Sequence, residues 1–241
     1  MPPKAVHEMV KDTHGLHKEH RRRVKQRFLN HGLDNFDDYL VLELLLFYAI
    51  PRANVNELAH ELMARFQSIH GVFEAPIEEL RQVKGIGENA AVLLKLIPQI
   101  NRRYLISRAA SEKDITLMNS GEAGAYIMPY FYAERDEVVY VICLDNKNRV
   151  INCRQMFRGD LNSAVISIRK LVEVALKDNA TSVMLAHNHT SGVALPSKED
   201  VDTTANIARA LKTVEIKLTD HIVVADSDYV SMSQSGYLDS F

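Results

Sequence analysis

Apolar positions recur at helical spacing through the first hundred residues. Residues 14–28 (HGLHKEHRRRVKQRF) form a basic helical segment. Residues 36–49 place Leu40, Leu44, Leu45 and Tyr48 on one stripe and stop before Pro51, which cannot continue a helix. An amphipathic helix follows over 54–66 with Asn54 as its N-cap, and segments 76–82 and 88–104 complete an all-helical first half. Residues 107–116 (SRAASEKDIT) are small and polar, without hydrophobic period, and read as a linker. The division is therefore a helical domain over 1–106, a linker over 107–116 and a second domain over 117–241.

Beyond the linker the pattern changes. Residues 137–145 (EVVYVICLD) are a β-branched apolar run, as expected of a strand buried on both faces, and Asn146-Lys147-Asn148 turns the chain into a partner strand over 149–156. A helix is expected over 163–177, with Val165, Ile168, Val172 and Leu176 on one stripe. A short buried strand over 182–186, a helix over 196–211 and closing strands over 216–225 and 229–233 complete the domain. Strands and helices mix without a βαβ rhythm, so the chain reads as α+β or three-layered rather than doubly wound.

Composition fits this picture: 46% hydrophobic and 25% charged residues are ordinary for a soluble globular chain. Cys143 and Cys153 are too few for a disulfide framework and read as buried thiols. The first residues carry no apolar signal region. The longest apolar run, over 39–50, is short and broken by Glu43, so a cytoplasmic protein without a membrane span is expected. Charge is uneven. Residues 1–110 hold 16 Lys/Arg against 13 Asp/Glu, and the remainder 13 against 18. Most of the positive excess precedes Phe28, which suits an anionic partner or a plainly solvated helix face.

The chemistry concentrates in residues 187–200 (HNHTSGVALPSKED). His187 and His189 lie two apart at a strand end, so the pleat sends both imidazoles to one side. Gly192 lets the loop turn back, Pro196 starts a helix, and Ser197 and Asp200, three apart, share a face of it. Two nitrogens and one carboxylate would leave a fourth position for water, the pattern of a catalytic zinc, which lowers the pKa of bound water to about 7. The base must come from elsewhere. Glu137, opening a strand of the same sheet, is the first candidate, with Glu134 and Asp136 as rivals. Ser197 would donate a hydrogen bond to the developing oxyanion. His221, after Asp220, reads as a structural hydrogen-bonding residue. His14, His17 and His20 read as solvent-facing.

The string H-x-H-x7-S-x-x-D with an upstream Glu resembles the metal motif of the JAB/MPN (JAMM) metalloprotease superfamily. Phe157-Arg158-Gly159-Asp160-Leu161-Asn162, His187-Asn188-His189 and Asp220-His221-Ile222, with the helical first half, resemble the bacterial RadC (UPF0758) family, labelled as DNA repair proteins. The resemblance implies a helix-hairpin-helix domain followed by a JAB/MPN (cytidine deaminase-like) mixed-sheet domain. It implies Zn2+ on His187, His189 and Asp200, Glu137 as base, and Ser197 beside the oxyanion. A peptide or protein substrate would be cleaved at a peptide or isopeptide bond. Two departures stand out. Thr190 replaces the proline usual after the second histidine, and Ser167-Ile168-Arg169-Lys170 replaces a His-Pro-Arg-Glu string, leaving that histidine's role in substrate handling without a counterpart. Two other readings compete: a DNA-processing factor with metal-dependent nuclease activity, and a non-catalytic MPN scaffold.

Residues 80–94 (LRQVKGIGENAAVLL) resemble a helix-hairpin-helix element. Gly85 and Gly87 permit a tight turn, the N–H groups opening the next helix can meet a phosphate, and Lys84, with Lys95, adds charge. DNA held through residues 1–106, with Arg21-Arg22-Arg23 in support, is one reading. A compact helical turn or a protein-docking surface is the other.

Overall fold

The computed structural model describes residues 4–111, 114–159 and 167–239. It divides into two compact units, Met1–Ile100 and Asn101–Phe241. The first is helical: α1 (Lys4–His31), α2 (Asp38–Ala49), α3 (Asn56–Phe66), α4 (Ile69–Glu74), α5 (Ile77–Arg81) and the opening turns of α6 (Glu88–Ser111). Its core gathers Leu42, Leu46, Leu62, Leu80 and Leu94, all fully buried. Helix α2 lies at the centre because it is apolar on nearly every side. That removes the single stripe expected from its sequence. Tyr48 stands 68% exposed, with the Lys25 ammonium over its ring, while Glu43 is buried.

A buried carboxylate needs partners. Glu43 finds them in His20 Nε2 at 2.9 Å and Asn56 Nδ2, which donates at 3.1 Å. His20 therefore anchors Glu43 while its own side chain stays 38% exposed, and the side chain of His14 lies outside the described residues. Arg21 also turns inward. Its guanidinium donates to Phe47 O, Ile50 O and Ala53 O, satisfying carbonyls at the C-terminal end of α2. Asn54 is not the N-cap of α3; that position is Val55, and Asn54 Oδ1 accepts the N–H of Asn56 instead. Helix α6 continues to Ser111, through the first half of the stretch read as a linker. Polar composition there does not end the helix.

The second unit is a mixed five-stranded sheet with helices on both faces. Its elements are α7 (Ser120–Phe131), β1 (Val138–Leu144), β2 (Val150–Arg158), α8 (Ile168–Lys177), β3 (Ser182–Asn188), α9 (Lys198–Lys212), β4 (Lys217–Ala225) and β5 (Asp228–Ser231). Strand order is β2-β1-β3-β4-β5, antiparallel except for the parallel β3–β4 pair that α9 connects. One sheet face packs Tyr140, Ile142, Met184, Ile222 and Val224 against α7, and the other packs Val139, Val141, Val183 and Leu185 against α8 and α9. β1 and β3 are buried along their whole length, as their unbroken apolar runs require. Helix α8 begins at Ile168, capped by Ser167, whose hydroxyl accepts the Lys170 N–H at 3.3 Å. Expected helical positions 163–166, with Val165, and residues 160–162 of the Phe157–Asn162 string lie outside the described residues. Leu176, expected on the inward stripe of α8, is 54% exposed; Leu171 and Ala175 point inward instead.

Helix α7 was not expected from the sequence. Asn119 caps it by accepting the Glu122 N–H at 2.9 Å, and Glu122 reaches back to accept from Met118 N. Burial raises the Cys143 and Cys153 thiols to about 12, so neither is a ready nucleophile. Among the described residues no helix is long and apolar enough to cross a membrane.

Gly124 lets α7 approach β5. A Cβ there would lie 2.3 Å from the ring of Tyr229. Gly124→Ala is expected to overpack this face and destabilise the protein by about 1–3 kcal/mol, read from the denaturant midpoint of equilibrium unfolding.

Candidate metal centre

The ligand candidates come from the end of β3 and the start of α9. His187 is in the last turn of pleat of β3, and the N–H of His189 still pairs with Val224 O of β4 at 2.8 Å, so both imidazoles leave the sheet on one side. The loop between turns back at Gly192, whose φ of +78° is cheap only for glycine. Ser197 is then the N-cap of α9. Its Oγ accepts the Asp200 N–H, and Asp200 Oδ2 accepts the Ser197 N–H at 2.7 Å, closing a capping box. Helix initiation thus fixes the carboxylate in place.

These elements bring three polar atoms together. His187 Nε2 lies 3.0 Å from His189 Nε2 and 3.1 Å from Asp200 Oδ1, and His189 Nε2 lies 3.1 Å from Asp200 Oδ2. Among the described residues this is the one group of His, Cys, Asp or Glu able to hold a metal ion. A tetrahedral zinc with bonds of about 2.0–2.1 Å spaces its ligands roughly 3.3 Å apart. The observed separations are within a few tenths of that.

Hydrogen bonds around the cluster decide what it faces. Val193 O lies 3.1 Å from His189 Nδ1; a carbonyl can only accept, so Nδ1 carries the proton and Nε2 presents a lone pair. His187 turns its Nδ1 to His221 Nε2 at 2.8 Å, leaving Nε2 for the cluster. Burial first, and then the neighbouring His187, push His221 well below the usual imidazole range, so it is neutral. Burial would raise the Asp200 carboxyl, but hydrogen bonding and charge from a protonated His187, with hydrogen bonds from Ser197, outweigh it and hold the group well below the ordinary carboxylate range. With both rings neutral, as metal ligation requires, two imidazole lone pairs would face an ionised carboxylate and repel unless a cation lay between them. The donor set fits a divalent metal. His187 is buried while His189 and Asp200 are half-buried, so the centre reaches the surface on their side.

Ser197 Oγ donates to Asp200 Oδ2 at 2.6 Å. The geometry thus gives this hydroxyl a capping and carboxylate-orienting role. Glu137 precedes β1 directly, two residues before Val139, which pairs with His187, and strand periodicity puts Glu137 on the sheet face that carries the imidazoles. Asn188, between the two histidines, grips the chain on both sides of Glu137. Its Oδ1 accepts the Val138 N–H at 2.8 Å and its Nδ2 donates to Asp136 O at 3.0 Å. The rival acids are engaged elsewhere: Glu134 accepts from Arg102 and Arg158, and Asp136 from Arg158. Among the described residues the Glu137 side chain has no such partner.

The sequence matches the RadC-like JAB domain family over residues 117–237 and the UPF0758 N-terminal family over 16–92. A UPF0758 protein of Fusobacterium nucleatum is 33% identical over 95% of this chain and 99% of its own, and one from a Geobacillus strain is 32% identical over 90% and 95%. The chain belongs to the UPF0758 family. Its RadC-like JAB domain carries all three ligand candidates, and the family's N-terminal domain contains the glycine hairpin.

In that UPF0758 N-terminal domain, Lys84, Gly85 and Gly87 lie in the turn between α5 and α6, held by the buried Val83 and Ile86. Gly85 has φ +103°, and nothing lies within 4 Å of a Cβ built on Gly87, so the backbone opening α6 is accessible. Lys84 is exposed. Lys95 is not free to join it, because its ammonium donates to Phe73 O and Ala75 O at the end of α4. Arg21, likewise, is turned into its own domain.

The sequence does not mark Asn188 or Thr204 as parts of the site, and it offers His221 as a neighbour of the site whose preferred reading is a structural hydrogen bond. A signal existed for Thr204, which follows Asp200 by four residues on α9. Asn188 and His221 depend on strand pairing, which spacing alone does not reveal.

Purified protein is expected to carry about one zinc per chain by elemental analysis. Zinc in 100-fold excess over its dissociation constant would stabilise the fold by about 2.7 kcal/mol. Asp200→Asn should lose both the metal and the stabilisation. Asn188→Ala should cost about 1–3 kcal/mol in denaturant unfolding, because the buried Val138 N–H and the partly buried Asp136 carbonyl lose their partner.

Proposed function

We propose that the chain is a zinc-dependent hydrolase of the JAMM type that cleaves peptide or isopeptide bonds. The observation that carries this reading is the convergence of His187 Nε2, His189 Nε2 and Asp200, with Glu137 on the same sheet face and without an ion-pair partner among the described residues. A zinc held by these residues supplies a Lewis acid and a water of pKa near 7. His187 and His189 would hold it as neutral ligands, and Asp200 would offset part of its charge. Glu137 takes the proton from the attacking water and returns it to the leaving amine, the two halves of general acid–base work. Asn188 holds the backbone on either side of Glu137 through its two bonds, which supports this role. Ser197 orients Asp200; to bond an oxyanion as well, it would redirect the proton now given to Oδ2.

A second reading is favoured by a specific observation. The open N-terminus of α6 beside exposed Lys84, with the turn fixed by Val83 and Ile86, suits a DNA phosphate. Such contacts hold a duplex without reading its sequence. On this reading the helical unit brings the hydrolase to DNA, and the same metal could serve phosphodiester cleavage.

Glu137→Gln is expected to lower hydrolysis of a peptide or isopeptide reporter by about 100-fold or more while keeping zinc content unchanged. Full activity in that variant would remove Glu137 from the reaction. Labelled single- and double-stranded DNA incubated with zinc or manganese should stay intact. Cutting that disappears in His187→Ala would replace the peptidase with a nuclease.

A further inference from the structure

Behind the ligands lies a chain of three hydrogen bonds with a fixed direction. Thr204, fully buried on α9, places its Oγ1 2.5 Å from Asp200 O and 2.6 Å from His221 Nδ1. His221 Nε2 in turn lies 2.8 Å from His187 Nδ1. The carbonyl of Asp200 can only accept, so the Thr204 hydroxyl spends its one proton there. Thr204 must then accept from His221, whose proton sits on Nδ1. His221 Nε2 is left as an acceptor, so His187 donates from Nδ1, and in the neutral ring Nε2 is then the nitrogen with the lone pair.

We propose that His221 and Thr204 are positioning residues that lock His187 in the Nδ1–H tautomer and so aim its Nε2 lone pair at the cation. The proposal rests on the reading of the cluster as a metal site. Asp220 steadies the relay: its Oδ1 accepts the backbone N–H groups of His221 and Ser233, and its Oδ2 accepts the Ser231 hydroxyl at 2.6 Å. Histidine ligands are commonly oriented through the ring nitrogen away from the metal, and loss of such a partner weakens metal affinity about 10- to 100-fold. Here the orienting group is a neutral imidazole, set by a hydroxyl on the same helix that carries Asp200. Both the oxygen ligand and the tautomer of the nitrogen ligand therefore derive from the first two turns of α9.

Thr204→Val keeps the shape and removes the hydroxyl. His221 Nδ1–H then has no acceptor, the imidazole shifts its proton to Nε2, and His187 must answer with its proton on the metal side. Long-range 1H–15N spectra of the metal-free full-length protein read these tautomers directly. Wild type should show His187 protonated at Nδ1, Thr204→Val should show the Nε2–H form, and Thr204→Ser should restore the wild-type pattern. Zinc competition against a chromophoric chelator should give a dissociation constant about 10- to 100-fold weaker for Thr204→Val and near wild type for Thr204→Ser. His221→Gln, whose amide can accept from His187 and donate to Thr204, should bind more tightly than His221→Leu. A wild-type His187 protonated at Nε2, or a Thr204→Val protein with unchanged tautomer and affinity, overturns the proposal. Wild type with the Nδ1–H pattern but no zinc uptake would sink the metal reading and leave the tautomer lock standing.

Discussion

Three metal-ligating side chains do not gather at the end of a buried strand without a reason. The second unit holds two imidazoles and an ionised carboxylate within about 3 Å of one another, and the surrounding fold is what keeps them from swinging away. Strand β3 fixes the first histidine inside the sheet, and a backbone bond to β4 fixes the second. A capping box fixes the carboxylate. Each device is ordinary secondary-structure chemistry. Their joint effect is a pre-formed pocket of electron pairs, which in physical terms asks for a cation.

Much of this was legible locally. An unbroken apolar run reads as a doubly buried strand, a two-residue spacing reads as a shared pleat face, and Ser-x-x-Asp after a proline reads as a helix start. These patterns follow from the chain's own periodicities, and the structure brings together the side chains they pick out. What escaped depends on partners distant in sequence. Asn188 looks like a spacer until β1 is laid beside β3, and His221 looks structural until β4 lies parallel on the other side. In sequence Glu137 is preferred to its rivals Glu134 and Asp136 only because it opens a strand. Arginines from α6 and β2 separate them by engaging the other two.

Failures in the helical elements have a common cause. Tyr48 was placed inside because α2 was read as amphipathic, yet a helix apolar all round has no preferred face until its neighbours choose one. α7 was hidden by Gly121, Gly124 and Pro129, residues that lower helix propensity, although Asn119 and Glu122 mark its start. Gly124 is there for the ring of Tyr229, a tertiary reason that no local scale contains. The basic stretch in α1 reads in sequence as a surface for an anion or as a solvated helix face. Arg21 shows that such a side chain can serve instead to close the end of a neighbouring helix.

The double duty of Asp200 has a kinetic side. Because the carboxylate that would grip the ion is the same one that closes the first turn of α9, folding delivers a finished socket before any ion arrives. Small zinc-dependent domains that fold only around their metal must unravel to release it. Here the ion could come and go through a standing framework, its exchange governed by solvent access past His189 rather than by the unfolding of the chain.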